Sequence, residues 1–130
     1  LSKPQNKPQL TEKDIMSLFT EILDKSNDIV SQWDGKLYFV YLPDYKRYST
    51  QREEFSRYLK SRDTVLNIVR KLEIPIIDTH TEIFIRRSDP LSLFPFRLPG
   101  HYNAEGYRFM AETIAKRLEV DGIILSNSNN

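Results

Sequence analysis

The sequence predicts an α/β domain built on a short parallel sheet. Amphipathic stretches alternate with short β-prone runs in the order helix, strand, helix, strand, loop, helix. That order places helices over a parallel sheet. The two runs, Leu37 to Leu42 and Ile74 to Asp78, are almost continuously apolar, as strands covered on both faces are. At 130 residues the chain has the length of one domain, and a compact fold of that size buries roughly two thirds of the unfolded surface.

The elements follow in order. Residues 1–10 are polar, carry Pro4 and Pro8, and are expected to be a tail or linker. Residues 11–125 form the domain. Thr11 and Asp14 have the spacing of a capping box that opens a helix. Ile15, Leu18, Phe19, Ile22, Leu23, Ile29, Val30 and Trp33 repeat at the helical period and predict one apolar stripe. Asp34-Gly35 stops the helix. The first strand ends at Pro43. Asp44 to Arg62 is a charged excursion with Tyr45, Tyr48, Phe55 and Tyr58 interspersed and room for a short helix.

A second amphipathic helix is expected from about Asp63 to Leu72, with Val65, Leu66, Ile68, Val69 and Leu72 inward. After the second strand, Thr79 to Pro99 is punctuated by Pro90, Pro95 and Pro99 and is expected to be mostly irregular. Asn103 caps a last helix whose inward face is Tyr107, Met110, Ala111, Ile114, Ala115 and Leu118. Ile123 to Leu125 is expected as a last short strand or packed tail, and residues 126–130 as a frayed end. So narrow a sheet leaves one edge and apolar faces open. The chain therefore reads as half of a doubly wound domain, completed by upstream sequence or by a second copy.

Composition excludes several functions. Lys and Arg number 19 against 18 Asp and Glu, so nothing favours a nucleic-acid partner. There is no cysteine, hence no disulfide framework and no thiolate metal site. No apolar run approaches the roughly 18 residues of a membrane span, and no signal peptide is visible. The chain opens on Leu1 rather than Met, which leads us to expect either missing upstream sequence or processing.

Of the two histidines, His101 is placed for chemistry. It follows Gly100 in a loop and precedes a helix start. Such a loop can project over the carboxyl ends of parallel strands, where ligands bind. Imidazole can take and return a proton near neutrality. Gly100 permits a sharp turn, and Asn103 can fix the loop by capping the helix. The alternative is a surface histidine beside a helix cap.

The segment Gly100-His101-Tyr102-Asn103-Ala104-Glu105-Gly106-Tyr107-Arg108-Phe109-Met110-Ala111-Glu112 resembles the last block of the SGNH (GDSL-type) hydrolases, in which a loop histidine leads into a helix as H-x-N-x-x-G-x-x-x-x-A. Ile74 to Asp78 and Leu37 to Pro43 look like that family's preceding strands. The resemblance spans roughly residues 15 to 119. It implies a partial three-layer α/β/α, flavodoxin-like fold, and an ester hydrolase or lipase-like acylhydrolase. A small-molecule or carbohydrate ester would be the substrate, with no cofactor and no metal. His101 would be the general base for a serine, with Asn103 supporting its loop.

The sequence departs from the family twice. No Gly-Asp-Ser block precedes the first strand; Ser17 and Ser26 fall in a helix, and Ser49, Ser56 and Ser61 in the charged excursion. The chain alone is therefore expected to lack the nucleophile. Nor does an Asp stand just before His101, where Leu98 and Pro99 are found. The ring then needs another acceptor to fix its tautomer: the Leu98 carbonyl, Asp89 or Asp78. Asp89 precedes Pro90 and equally suits a turn.

Asp78, His80 and Glu82 alternate, so in an extended segment they share one face and, with His101, form an oxygen- and nitrogen-rich cluster able to hold a metal. The alternative is a polar exit from a buried strand, and no recognised metal motif is present. Tyr41, Tyr45, Tyr48 and Tyr58 can line a sugar or acyl site or pack under a long loop. Arg86, Arg87 and Arg97 can meet an anionic substrate or be solvated. Three readings compete: the enzyme half, a non-catalytic α/β binding or assembly module on the same fold, and an SGNH domain associated with an O-acyltransferase. A small response-regulator-like or flavodoxin-like domain is disfavoured, because no acidic pocket at an early strand end and no Gly-rich phosphate loop is present.

Overall fold

A computed structural model of the chain describes residues 9–49 and 52–125, apart from the side chains of Arg52, Phe55 and Tyr58. The tails expected at 1–8 and 126–130 lie outside the described residues, and so does the side chain of Tyr58. Helices and strands are mixed. Helix α1 (Glu12–Ser31), strand β1 (Phe39–Tyr41), helices α2 (Lys46–Ser49) and α3 (Arg52–Lys71), strand β2 (Ile76–Asp78) and helix α4 (Ala104–Val120) follow one another. A π-helical turn at His80–Phe84 and 3-10 turns at Pro90–Leu93 and Pro95–Arg97 lie between β2 and α4.

The sheet is a parallel pair, with Phe39 opposite Ile76, Val40 opposite Ile77 and Tyr41 opposite Asp78. The connection between two parallel strands needs a crossover, which α2 and α3 supply. The Phe39 amide donates to the Pro75 carbonyl at 2.9 Å. Successive residues of a strand turn opposite ways, so Val40 presents its N–H and C=O to the other edge. No strand pairs there among the described residues. The outer edge of β2 is blunted instead, because an Arg117 guanidinium N–H donates to the Ile76 carbonyl at 3.0 Å.

Thr11 and Asp14 form the expected capping box: the Thr11 hydroxyl accepts from the Asp14 amide at 3.1 Å, and the Asp14 carboxylate accepts from the Thr11 amide at 2.9 Å. The apolar arc of α1 is not one buried stripe, however. Phe19 meets Phe39 edge-on with ring centroids 6.0 Å apart, and Leu23 and Val30 share that half-buried side. Ile15, Leu18, Ile22 and Ile29 fall within a separate arc of about 60° at 3.6 residues per turn, and all are exposed. Trp33, just beyond the helix, is 67% exposed. No residue of α1 is fully buried.

Several expected boundaries change. The charged excursion is mostly helix: α3 begins at Arg52, not near Asp63, and runs for 20 residues. Its inward residues Leu66 and Val69 are fully buried as expected, while Val65, Ile68 and Leu72 are half-buried. Tyr107 was expected inward on α4 but is exposed, its ring meeting Tyr102 edge-on. Ile123 to Leu125 form no strand and stay exposed. The largest correction concerns Thr79 to Pro99. Its turns are packed, and Ile83, Phe84, Leu93 and Phe94 join Tyr102 and Met110 in one buried cluster.

That cluster admits α4 only because residue 106 is glycine. A Cβ there would stand 2.9 Å from the Leu93 carbonyl oxygen and 2.9 Å from the Tyr102 Cβ. Alanine gains about 1 kcal/mol over glycine in an open helix, but the backbone carbonyl it would meet cannot swing aside. Gly106→Ala is expected to destabilise the fold by roughly 1–3 kcal/mol, seen as a lower midpoint in denaturant. A raised midpoint would show that α4 and the 3-10 turn are not tightly packed.

Candidate functional site

The loop bearing His101 leans on the segment that leaves the carboxyl end of β1. The Tyr45 hydroxyl donates to the Arg97 carbonyl at 2.9 Å, and the Tyr102 hydroxyl donates to the Pro43 carbonyl. Asn103 closes the loop's far side. Its Oδ1 accepts from the Gly106 amide at 2.9 Å, capping α4, and its Nδ2 donates to the Ser92 carbonyl at 2.8 Å. Its own amide donates to the Leu93 carbonyl at 2.9 Å. Gly100 has φ 146°, backbone that a side chain would strain. Binding chemistry at the carboxyl end of parallel strands is the rule in open α/β sheets.

His101 is exposed, and its Nδ1 lies 2.8 Å from the Tyr102 carbonyl oxygen. A carbonyl only accepts, so Nδ1 must carry the hydrogen. In the neutral ring this leaves Nε2 with its lone pair, and Nε2 makes no hydrogen bond among the described residues. The acceptor is therefore the carbonyl of Tyr102, not that of Leu98. Asp89 is engaged elsewhere: Arg97 grips it with both terminal nitrogens, at 2.5 and 2.9 Å. This fork fastens the Pro95–Arg97 turn, where Phe96 has φ 53° and Arg97 φ 58°. Each left-handed non-glycine residue costs roughly 1–2 kcal/mol.

Asp78 is also occupied. Its Oδ2 accepts from the Arg62 guanidinium and from the Thr81 hydroxyl, the latter at 2.6 Å. Burial works to raise its pKa, but those hydrogen bonds and the Arg62 charge outweigh burial and hold it below the ordinary value. Arg62 Nε and Asp78 Oδ1 are buried without hydrogen-bond partners among the described residues. They are a donor and an acceptor on residues already joined, so a small rotation to a two-bond fork satisfies both.

The other histidine belongs to the interior. His80 is 6% exposed, and its Nδ1 lies 2.8 Å from the Tyr48 hydroxyl. Its ring stacks on Tyr48, which in turn stacks on Phe84 with centroids 4.7 Å apart. Beside it the buried Arg47 donates to the Tyr41 hydroxyl at 2.6 Å, and the Thr79 hydroxyl donates to the Tyr41 carbonyl at 2.6 Å. The expected alternation of Asp78, His80 and Glu82 on one face fails because the segment is a helical turn, not a strand. Asp78 goes to Arg62, His80 to Tyr48, and Glu82 to Arg86 at 3.2 Å. No cluster able to hold a metal is found among the described residues.

Tyr45 and Tyr48 pack against the aromatic core, and Tyr41 serves the polar cluster, so none of these lines an open site. Arg86 and Arg97 are paired, and Arg87 lies over the Phe109 ring at 4.1 Å. The hydroxyl of Ser26 donates to the Ile22 carbonyl and that of Ser61 to the Arg57 carbonyl, while Ser17, Ser49 and Ser56 stand exposed on helices. None is a nucleophile on a strand-to-helix elbow. Sequence reasoning missed Arg47, Arg62 and Tyr102. Only Tyr102 carried a signal, an aromatic placed between the histidine and the cap.

The chain matches no protein-family model, no curated protein and no solved structure. No described helix is long and apolar enough to cross a membrane.

Burial, aided by the Arg47 and Arg62 charges, pushes the His80 pKa down to about 4 from 6.5, against an opposing pull from Asp78. The unfolded chain takes up this proton below about pH 6.5 and the folded chain only below about pH 4. The contribution is whole above pH 6.5 and is lost as pH falls through that window, by at most about 1.4 kcal/mol per unit. Denaturant unfolding at neutral pH and near pH 4.5 should show a smaller acid loss for His80→Phe than for the native chain. Equal losses would mean that His80 is not held neutral.

Proposed function

We propose that this chain is the C-terminal portion of an SGNH-type ester hydrolase, folded as part of a three-layer α/β/α domain, with His101 as its general base. One observation carries the reading: the Tyr102 carbonyl holds His101 as the Nδ1–H tautomer and leaves Nε2 free, on a loop that the Tyr102 hydroxyl ties to the segment leaving β1. The block from His101 through Asn103 and Gly106 to Ala111 adds the family resemblance.

In this reading Nε2 takes the proton of a serine hydroxyl as that oxygen attacks the ester carbonyl. It then gives the proton to the departing alcohol. The same nitrogen next takes a proton from water as the water oxygen attacks the acyl carbonyl, and returns that proton to the serine oxygen as the acyl C–O bond breaks and the acid leaves. Where a triad loses its acid, turnover falls about 10⁴-fold, chiefly because the ring adopts the wrong tautomer. Here a backbone carbonyl supplies the tautomer, and only the carboxylate's charge on the imidazolium is missing.

The serine and the oxyanion donors would come from the remainder of the domain. The open edge of β1 and the uncovered arc of α1 support that remainder docking there. Burying an isoleucine or leucine contributes about 1.5–3 kcal/mol, so Ile15, Leu18, Ile22 and Ile29 represent stabilisation that this chain leaves unused. The engagement of Asp89 by Arg97, which leaves His101 without a carboxylate, favours the second reading, a non-catalytic binding or assembly module.

In the parent protein, His101→Ala should lower hydrolysis of a model acetyl ester by about 10²–10⁴-fold, while residues 1–130 alone should hydrolyse none. Full activity in the variant would remove His101 as the base, and activity of the isolated chain would place the nucleophile among its own residues.

A further inference from the structure

We propose that the trough between α4 and the outer edge of β2 binds a small dianion, held by Arg87 and Lys116 with the Thr113 hydroxyl between them. The trough shares no residue with the His101 loop, so this site stands or falls apart from the hydrolase reading.

Two open cavities, of about 300 and 400 Å³, lie against α4 and share Glu82, Arg86 and Thr113 as walls. Together they form one trough, of a size that suits a small molecule. The smaller cavity runs beside Ile76 to Asp78 and reaches Lys116, and the larger reaches Arg87 and Phe109. Phe109, Thr113 and Lys116 stand at i, i+4 and i+7 of α4, so one helix face lines the trough over about 10 Å.

The walls are held in place. Arg117 donates to the Asp121 carboxylate and to the Ile76 carbonyl, both at 3.0 Å. The Phe109 ring has Arg87 at 4.1 Å and Arg108 at 4.4 Å from its centroid. Every carboxylate on the trough is already paired: Asp78 with Arg62, Glu82 with Arg86, and Glu112 with Arg108. Arg117 is balanced by Asp121. Arg87 and Lys116 have no carboxylate partner among the described residues. The trough thus carries two unbalanced positive charges in a chain whose net charge is only +1.

Gathered like charges work against the compact state, and a concave surface focuses their field on an incoming anion. Two charges match a dianion, whereas a neutral sugar would leave both unbalanced. The stacked Arg87 guanidinium offers planar N–H donors to an oxyanion, and Lys116 offers a mobile point charge. The Thr113 hydroxyl makes no hydrogen bond among the described residues, which leaves it for a ligand oxygen. The two negative charges can sit on one phosphoryl group at Thr113, or on two carboxylates, one at each cation.

Titration of the chain at low salt with glycerol phosphate, adipate, acetate and glycerol tests this, read on the side-chain NMR signals of Arg87, Thr113 and Lys116. A dianion should shift all three saturably. Tighter binding of glycerol phosphate would place both charges at Thr113, and tighter binding of adipate would place one at each cation. Acetate should bind about tenfold more weakly, and glycerol should leave the signals in place. Lys116→Gln and Arg87→Gln should each weaken the dianion about 5- to 10-fold, while Lys116→Arg keeps it. Lys116 is exposed, so its variants test the site without disturbing the core. No saturable shift with either dianion would overturn the proposal. So would glycerol binding as tightly as a dianion, shifts spread evenly over the lysines and arginines, or affinity unchanged in both Gln variants.

Discussion

Tyr102 joins the core of this chain to its exposed histidine. Its ring lies in the aromatic cluster, with centroids 5.2 Å from Phe94 and 5.8 Å from Phe84. Its hydroxyl donates to the Pro43 carbonyl and ties the loop to the end of β1. Burial raises that hydroxyl's pKa far above its usual value, so it stays a donor. Its carbonyl accepts from His101, and its Cβ leaves room for nothing larger than glycine at 106. A buried aromatic with a satisfied polar tip is rigid at both ends. Rigidity here sets the ring orientation of a side chain that is itself on the surface.

The two histidines illustrate how burial divides roles. His80 stacks on Tyr48, and its burial, aided by the Arg47 and Arg62 charges, favours the neutral form. It helps to close the carboxyl end of the sheet, where Thr79 and Arg47 satisfy Tyr41. His101, one loop away, keeps a nitrogen in solvent. The two edges of the sheet differ. Arg117 covers the outer edge of β2, whereas β1 presents backbone and α1 presents isoleucines and leucine to solvent.

Local signals are legible in the sequence. The Thr11–Asp14 box, the strand cores at Phe39–Tyr41 and Ile76–Asp78, and the Asn103 cap depend on neighbours within a few residues. Long-range contacts hid the rest. The charge of the 44–62 stretch masked the start of α3, although Glu53 and Glu54 in its first turn suit a helix N-terminus. Prolines made 79–99 look irregular, yet short turns can bury Phe84, Leu93 and Phe94 as well as a helix does. The alternation of Asp78, His80 and Glu82 implied one face only on the premise of extended backbone, which the π-helical turn removes. For the site, His101 and Asn103 were visible, but the engagement of Asp89 by Arg97 and the acceptor on His101 follow from loop geometry that no pattern encodes.

In the proposed hydrolase a backbone carbonyl, in place of a carboxylate, would hold His101 as a base with Nε2 free. Nitrogen-15 NMR of the neutral chain, correlating the ring nitrogens of His101 with its carbon-bound protons, reads the tautomer directly. The account predicts that Nδ1 carries the hydrogen and Nε2 has the shift of an unprotonated nitrogen. A His101 ring protonated at Nε2, or averaging freely between both forms, would contradict it.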